Sequence, residues 1–371
     1  MALAAPKTFD ADFEITPYGT PDEQTTIAEP LDDIWDTLRG MALKRRFVDV
    51  AATIHARPRP IARATFGQAR YFVLQAYDFH QAAMTASRRA RPLLDYYAML
   101  NLAKFAIAVA APALLPSRNP RHGLGLTRAT VSELRQAGMT PTAGVFSALH
   151  ELLVGATPAG SFTAQAALSQ LCDVSSEYRA CFGNAPWRVN AFARARLSYA
   201  RRTAWLHLQV NVDPSQWTSA RRKLAWPGSP IGTLTRVQTD DAAVHLESGE
   251  FSFAGTTPLV AQRSVVGVLR QLRPQLGSFT QPLSLGQLRR RFLELYGRVR
   301  GAAPLPEMGA AFAVAYYLSD IVRYNPYFFE ASVTENDQWV LSTFSRVYPR
   351  KFAGLAMNVL VGRDVRLQRQ S

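Results

Sequence analysis

The tightest constraint on this chain is a run of apolar residues bracketed by prolines. From Leu93 to Ala111 nearly every side chain is apolar, with Pro92 before the run and Pro112 and Pro116 after it. Pro92 has no amide to donate and a preset φ, which suits the first turn of a helix. A helix that is apolar all round must be wrapped by protein. Pro112 interrupts the longest fully apolar part, Phe105 to Leu115, which falls short of the roughly 20 residues a membrane span needs. The helix is therefore expected at the centre of a helical core, and the N-terminus, too short and acidic for a signal peptide, fits a cytoplasmic protein.

The preceding stretch, Phe66 to Phe79, puts apolar and polar residues at three- and four-residue steps, so a second long helix is expected there. The loop after the apolar helix, Ser117-Arg118-Asn119-Pro120-Arg121-His122-Gly123, is basic and turn-prone. Four segments are expected in all: an extended arm over residues 1–30, a first helical part over 31–184, a β-rich insertion over 185–256, and a second helical part over 257–371. Single helices are expected over Leu31–Ile54, Thr127–Gln136, Ser161–Phe182 (closed by Gly183), Leu259–Leu272, Leu283–Val299 and Pro306–Tyr324. Residues 327–345 and 349–361 read as a last helical pair. In the insertion, Ala204-Leu206-Leu208-Val210-Val212 alternates with Trp205-His207-Gln209-Asn211, the period of a strand. Trp187–Tyr199 repeats the pattern loosely, and Thr233–Gln238 with Ala243–Phe253 reads as a hairpin. The fold class is mainly α with a small inserted antiparallel sheet.

Three blocks carry a resemblance. RPLLDYYAMLNLAKFAIA from Arg91, the His122-Gly123 step, and LSDIVRYNP from Leu318 stand in the order found in the YaaC-like family, and the chain resembles that family over roughly residues 65–125 and 305–360. The Tyr-Tyr-Ala-Met segment is also similar to helices of HEPN domains, some of which are ribonucleases. That second resemblance implies a HEPN-like helical core.

The net charge is +14 and the pI about 10.2, which favours an anionic partner, nucleic acid first. The two cysteines, Cys172 and Cys181, suit neither a zinc site nor a disulfide framework and are expected as small buried residues. There is no phosphate-loop, HExxH or GxSxG pattern, so no metal and no cofactor is implied, and the catalytic residues stay unknown.

Arg118, Arg121 and His122 gather donors in one short loop and are the candidates for an anion site, and for catalysis should there be any; Arg91 and Lys104 join them as anion-binding candidates. Tyr96, Tyr97, Asn101, Arg323, Tyr324 and Asn325 form a second set, which is either the lining of a pocket or a buried hydrogen-bond network. HEPN ribonucleases place an arginine four to six residues before a histidine. Arg201 and Arg202 stand so before His207, but in a predicted strand, where His207 is expected to have one nitrogen satisfied. Three functions remain open: a nucleic-acid-binding protein acting on RNA in a bacterial defence or stress system, a non-catalytic subunit docked on a larger enzyme or ATPase, and a nucleotide-responsive regulator. Partners are thus nucleic acid or nucleotide, or a protein, with no membrane.

Overall fold

The computed structural model describes residues 26–27, 32–115, 120–127, 137–183, 186, 188–198, 203–225, 230–237, 243–252, 276–278, 293–296, 304–326, 335–361 and 366–367. It is mainly helical with antiparallel sheets. The chain divides into two compact units, Trp187–Arg298, and Thr25–Pro186 with Val299–Ser371.

In the helical unit, α1 (Asp32–Gly40) and α2 (Lys44–Thr53) lead into α3 (Arg59–Thr85) and α4 (Arg91–Ala110). Then come α5 (Val145–Val154), α6 (Ala164–Leu168) and α7 (Ser175–Phe182). The other unit holds α8 (Trp217–Leu224), and the helical unit resumes with α9 (Glu307–Tyr324) and α10 (Glu335–Val361).

Helix α4 is the hub, packed against α2, α3, α5, α9 and α10. It is long and apolar enough to cross a membrane, but 72% of its most apolar window is buried inside the protein. Helix α9 is enclosed more completely, with every residue from Glu307 to Ile321 buried. Its run of Gly309, Ala310, Ala311, Ala313 and Ala315 keeps its surface low, and Phe312 fills the crossing by meeting the rings of Tyr96 and Phe146. At the other end of α4, Phe47 links α2 to Phe66 and Phe105.

The other unit is built on a seven-stranded antiparallel sheet. Its centre is the ladder of β5 (Arg188–Ser198) and β6 (Thr203–Val210), running from Ala191↔Val210 to Ser198↔Thr203. Beyond β6 lie Val244–Glu247 and then Thr235–Val237; beyond β5 lie Leu293–Tyr296 and then Leu276–Ser278. Residues 204–208 of β6 are buried on both faces. A three-stranded sheet, Leu124–Leu126 with Gly138–Pro141 and Phe162–Thr163, belongs to the helical unit, where Thr26–Ile27 also pairs in parallel with Arg366–Leu367.

Four local expectations are corrected. Leu31–Ile54 breaks into two helices at Gly40, where a Cβ would fall 2.5 Å from Arg46 Nη1. Ser161–Phe182 is interrupted because the chain leaves the helix after Leu168: the buried Gln170 side chain then bonds Ala166 O and the Leu305 amide (3.1 and 2.6 Å). Leu293–Tyr296, expected within the helix 283–299, is a strand, because β5 offers it an edge to pair with; the sheet thus continues past residue 256. Finally, residues 335–361 form one helix that passes straight through Pro349. The expected helices at 128–136 and 259–272 lie outside the described residues.

Candidate functional site

The continuity of α10 accounts for Arg91. A proline in a helix leaves the carbonyl four residues earlier without its amide. For Pro349 that carbonyl is Ser345 O, and Arg91 Nη2 approaches it at 3.5 Å. The same guanidinium bonds Asp95 through Nε at 3.3 Å. Arg91 is therefore occupied in holding α4 against α10, which removes it from the anion-binding set.

Burial pushes the Asp95 carboxyl up to about 6, against the pull of Arg91. A carboxyl with a folded value above its unfolded one binds its proton more tightly in the folded state. Stability therefore falls as the pH rises from about 4 to about 6, by about 2 kcal/mol from this one group. Urea titrations across that range are expected to show the slope in the parent protein and a flatter profile in Asp95→Asn.

The remaining candidates separate into two places. Lys104 sits with Nζ 5.5 Å above the Phe72 ring, on the α3 side of α4, and burial lowers its pKa. Asn101 turns its amide back onto Tyr97 O of its own helix (3.0 Å). Neither joins the loop residues. Tyr97 stacks its ring on Phe79 of α3 at 5.1 Å, while its hydroxyl accepts from Arg323 Nη1 at 3.0 Å, joining the first and third sequence blocks across 226 residues. Arg323 also lies over the Tyr324 ring at 4.4 Å, while Asn325 only closes α9.

The loop is brought to the same place by a tight backbone crossing. Gly123 has φ +82 and Gly144 φ +157, and a Cβ on Gly144 would come 2.6 Å from Arg121 O. Two amides of the first turn of α5, Val145 and Phe146, donate to Arg121 O and His122 O at 2.8 and 2.9 Å. His122 is thereby held with its ring 4.8 Å from that of Tyr316 on α9, and its Nδ1 accepts from the Leu124 amide at 3.4 Å. Its other nitrogen then carries the proton in the neutral ring. Burial pushes the His122 pKa down, Arg323 and Arg121 push the same way, and Asp320 opposes them. Arg121 is exposed, and Arg118 lies outside the described residues.

The cluster thus comprises Tyr96, Tyr97, Arg121, His122, Tyr316, Asp320 and Arg323. Tyr96 is 1% exposed, with its ring against Tyr97, Phe312 and Tyr316, and its hydroxyl is buried without a hydrogen-bond partner among the described residues. Burial and the neighbouring tyrosines raise its pKa well above the usual range, so it remains a neutral donor. Chemically the cluster is a set of donors around one carboxylate. Tyr316, Asp320 and Gly144 were not singled out from the sequence; Tyr316 and Asp320, polar residues one turn apart in a mostly apolar helix, were the available signal.

A second basic feature lies on α2 and α3. Between Lys44 and Tyr71 there are seven cations and one carboxylate, Asp49. Lys44, Arg45, Arg46, Arg59, Arg63 and Arg70 are exposed, and Tyr71 beside them is 64% exposed. Asp49 lies 3.0 Å from Arg59 and 4.0 Å from Arg45, so a single carboxylate is shared between two guanidinia.

His207 does not have one satisfied nitrogen but two. Its Nδ1 meets Glu247 Oε1 at 3.0 Å and its Nε2 meets His245 Nδ1 at 2.8 Å, an arrangement internal to the sheet. Arg201 and Arg202 lie outside the described residues. His80 stacks on Trp35 at 4.6 Å and His150 Nδ1 bonds Ala156 O at 2.8 Å, both as core residues. Neither cysteine is in a disulfide; Cys172 is buried and Cys181 half-buried. Among the described residues no three His, Cys, Asp or Glu side chains come together in a way that could hold a metal ion.

The family model described as YaaC-like Protein matches residues 53–360. The chain belongs to the YaaC-like family. The match spans α3, α4, the Arg121–Gly123 loop, α9 and all but the last residue of α10, and so takes in every member of the cluster. It also runs through the sheet unit, where no resemblance was expected. No curated protein and no solved structure matches the chain.

Proposed function

We propose that this YaaC-like chain binds single-stranded nucleic acid, RNA in the first instance, along the exposed face of α2 and α3. What supports the reading is the charge imbalance from Lys44 to Tyr71: six exposed cations on two packed helices, with only Asp49 against them in that stretch. Surface ion pairs such as those of Asp49 contribute little and give way readily to another anion. A polyanion gains instead by releasing its condensed counterions, one for roughly each phosphate neutralised. The exposed Tyr71 ring beside Arg70 offers a surface on which a base can stack, which suits a single strand. On this reading the protein is an RNA-acting component of a bacterial defence or stress system, built on a HEPN-like helical core.

Fluorescence anisotropy with a labelled single-stranded RNA, titrated at several salt concentrations, tests it. Affinity is expected to fall steeply with salt. In an Arg45→Ala, Arg59→Ala, Arg63→Ala variant the logarithmic slope is expected to shrink by about 2, since each phosphate left without its arginine accounts for roughly 0.7 of slope on a single strand. A parent protein that ignores RNA at low salt, or a variant with the parent's slope, would sink the reading in favour of a protein partner.

A further inference from the structure

Among the described residues the buried hydroxyl of Tyr96 has no hydrogen-bond partner. A buried hydroxyl without a partner costs about 1–3 kcal/mol, and phenylalanine would fill the same space without that cost. Tyr96 is enclosed by Tyr97, Phe312 and Tyr316, and the carboxylate in its vicinity, Asp320, does not take its proton. The position therefore offers a hydrogen bond that none of the described residues takes.

Its surroundings indicate what that acceptor is. Arg323 donates to Tyr97, and among the described residues it has no carboxylate partner. Arg121 is exposed on the adjoining loop and pairs with no carboxylate among them either. His122 is held neutral beside them with its Nε2 proton to give. Among the described residues the cluster sets two guanidinia and a neutral imidazole against one carboxylate, an excess of one positive charge. Donors of this kind, on a fixed backbone crossing, match the tetrahedral oxygens of a phosphate.

We propose that the cluster is the binding site of a small phosphate-bearing molecule. Its oxyanion lies between Arg323, Arg121 and His122, and its innermost oxygen accepts from the Tyr96 hydroxyl. Aromatic walls and the depth of Tyr96 set the size limit: the site admits a compact phosphate group, either free or as a monoester, and does not admit a polymer backbone. The site stands apart from the face of α2 and α3, and the two readings succeed or fail separately.

Calorimetric titration at constant ionic strength, with inorganic phosphate and adenosine monophosphate as probes, tests the site, with thermal melts run alongside. Heat of binding is expected for at least one probe, and which one distinguishes free phosphate from a monoester. Tyr96→Phe is expected to melt at the parent's temperature or higher without ligand and to bind about tenfold more weakly. Arg323→Met is expected to weaken binding by at least as much. The triple arginine variant of α2 and α3 is expected to keep the parent's phosphate affinity. The proposal is overturned if neither probe binds at millimolar concentration, or if Tyr96→Phe and Arg323→Met bind as the parent does. It is overturned too if phosphate binding disappears in the α2–α3 variant, since the ion would then be sitting on the basic face.

Discussion

Replacing Lys351 with methionine is expected to lower stability by about 3–5 kcal/mol. Lys351 is only 5% exposed, on the turn of α10 that follows Pro349. Its ammonium contacts both Glu307, at the start of α9, and Asp173, in the short 3-10 turn before α7. Tyr348 ties the same groups together: its hydroxyl donates to Glu307 Oε1 at 3.1 Å and accepts from the Asp173 amide at 3.3 Å. Methionine fills much of the lysine's volume but leaves two carboxylates facing each other in a place that water barely reaches. Removing one partner of a buried ion pair costs far more than the pair contributes, because the remaining charge is desolvated and unopposed. Guanidinium unfolding with the m-value checked is the measurement. Glu307→Gln added to Lys351→Met is expected to recover a large part of the loss; no recovery would mean that packing, not charge, explains the first result.

The same cluster predicts the alkaline limit of the fold. Burial alone would lower the Lys351 pKa, but the Glu307 and Asp173 carboxylates outweigh it and raise the value. A lysine whose folded value lies above its unfolded one contributes stability that is complete below the ordinary lysine range. It is lost as pH rises through the folded value. Lys351→Met is therefore expected to remove a stability loss confined to strongly alkaline solution.

Gly144→Ala is the second large effect, about 3 kcal/mol, measured by the same unfolding titration. The new Cβ would fall 2.6 Å from three backbone atoms: Arg121 O, Gly123 Cα and Gly123 N. Backbone atoms cannot swing away as a flexible side chain can, so the crossing itself must open. The positive φ of +157 adds strain of its own. Opening the crossing releases the α5 amides from Arg121 O and His122 O, which displaces His122 from Tyr316. The histidine resonance of His122 is expected to move with it, while Gly160→Ala, which has open space around its Cβ, gives a baseline for a positive φ alone. Equal losses at the two glycines would show that the crossing is not tight.

Much of the architecture was legible because it rests on local rules. The apolar circumference of α4 required a surrounding shell, and α3, α9 and α10 supply it. The alternation from Ala204 to Val212 marked β6, and Gly183, with φ +68, closes α7 as glycine does at a helix end. Failures came where a long-range partner outvoted a local signal. Pro349 is a helix breaker by propensity, yet α10 continues because Arg91, 254 residues away in the chain, takes the carbonyl that the proline leaves vacant. Leu293–Tyr296 lies in a stretch with helical spacing, and becomes a strand because the β5 edge is there to pair with it.

The candidate site divides along the same line. The residue types were readable: a basic loop ending in His-Gly, two tyrosines on a central helix and an arginine in a distant block. Their grouping was not, since spacing along one helix cannot show that Arg323, 226 residues away in the chain, meets the Tyr97 hydroxyl. Sequence alone determined which helix is central, where the sheet begins and that the chain is strongly basic, because periodicity and charge are properties of neighbouring residues. Only the tertiary structure decided that Arg91 braces a proline, that Arg323 meets Tyr97 and that the Tyr96 hydroxyl has no partner among the described residues. Those facts depend on which distant groups share a small volume, and no local pattern encodes that.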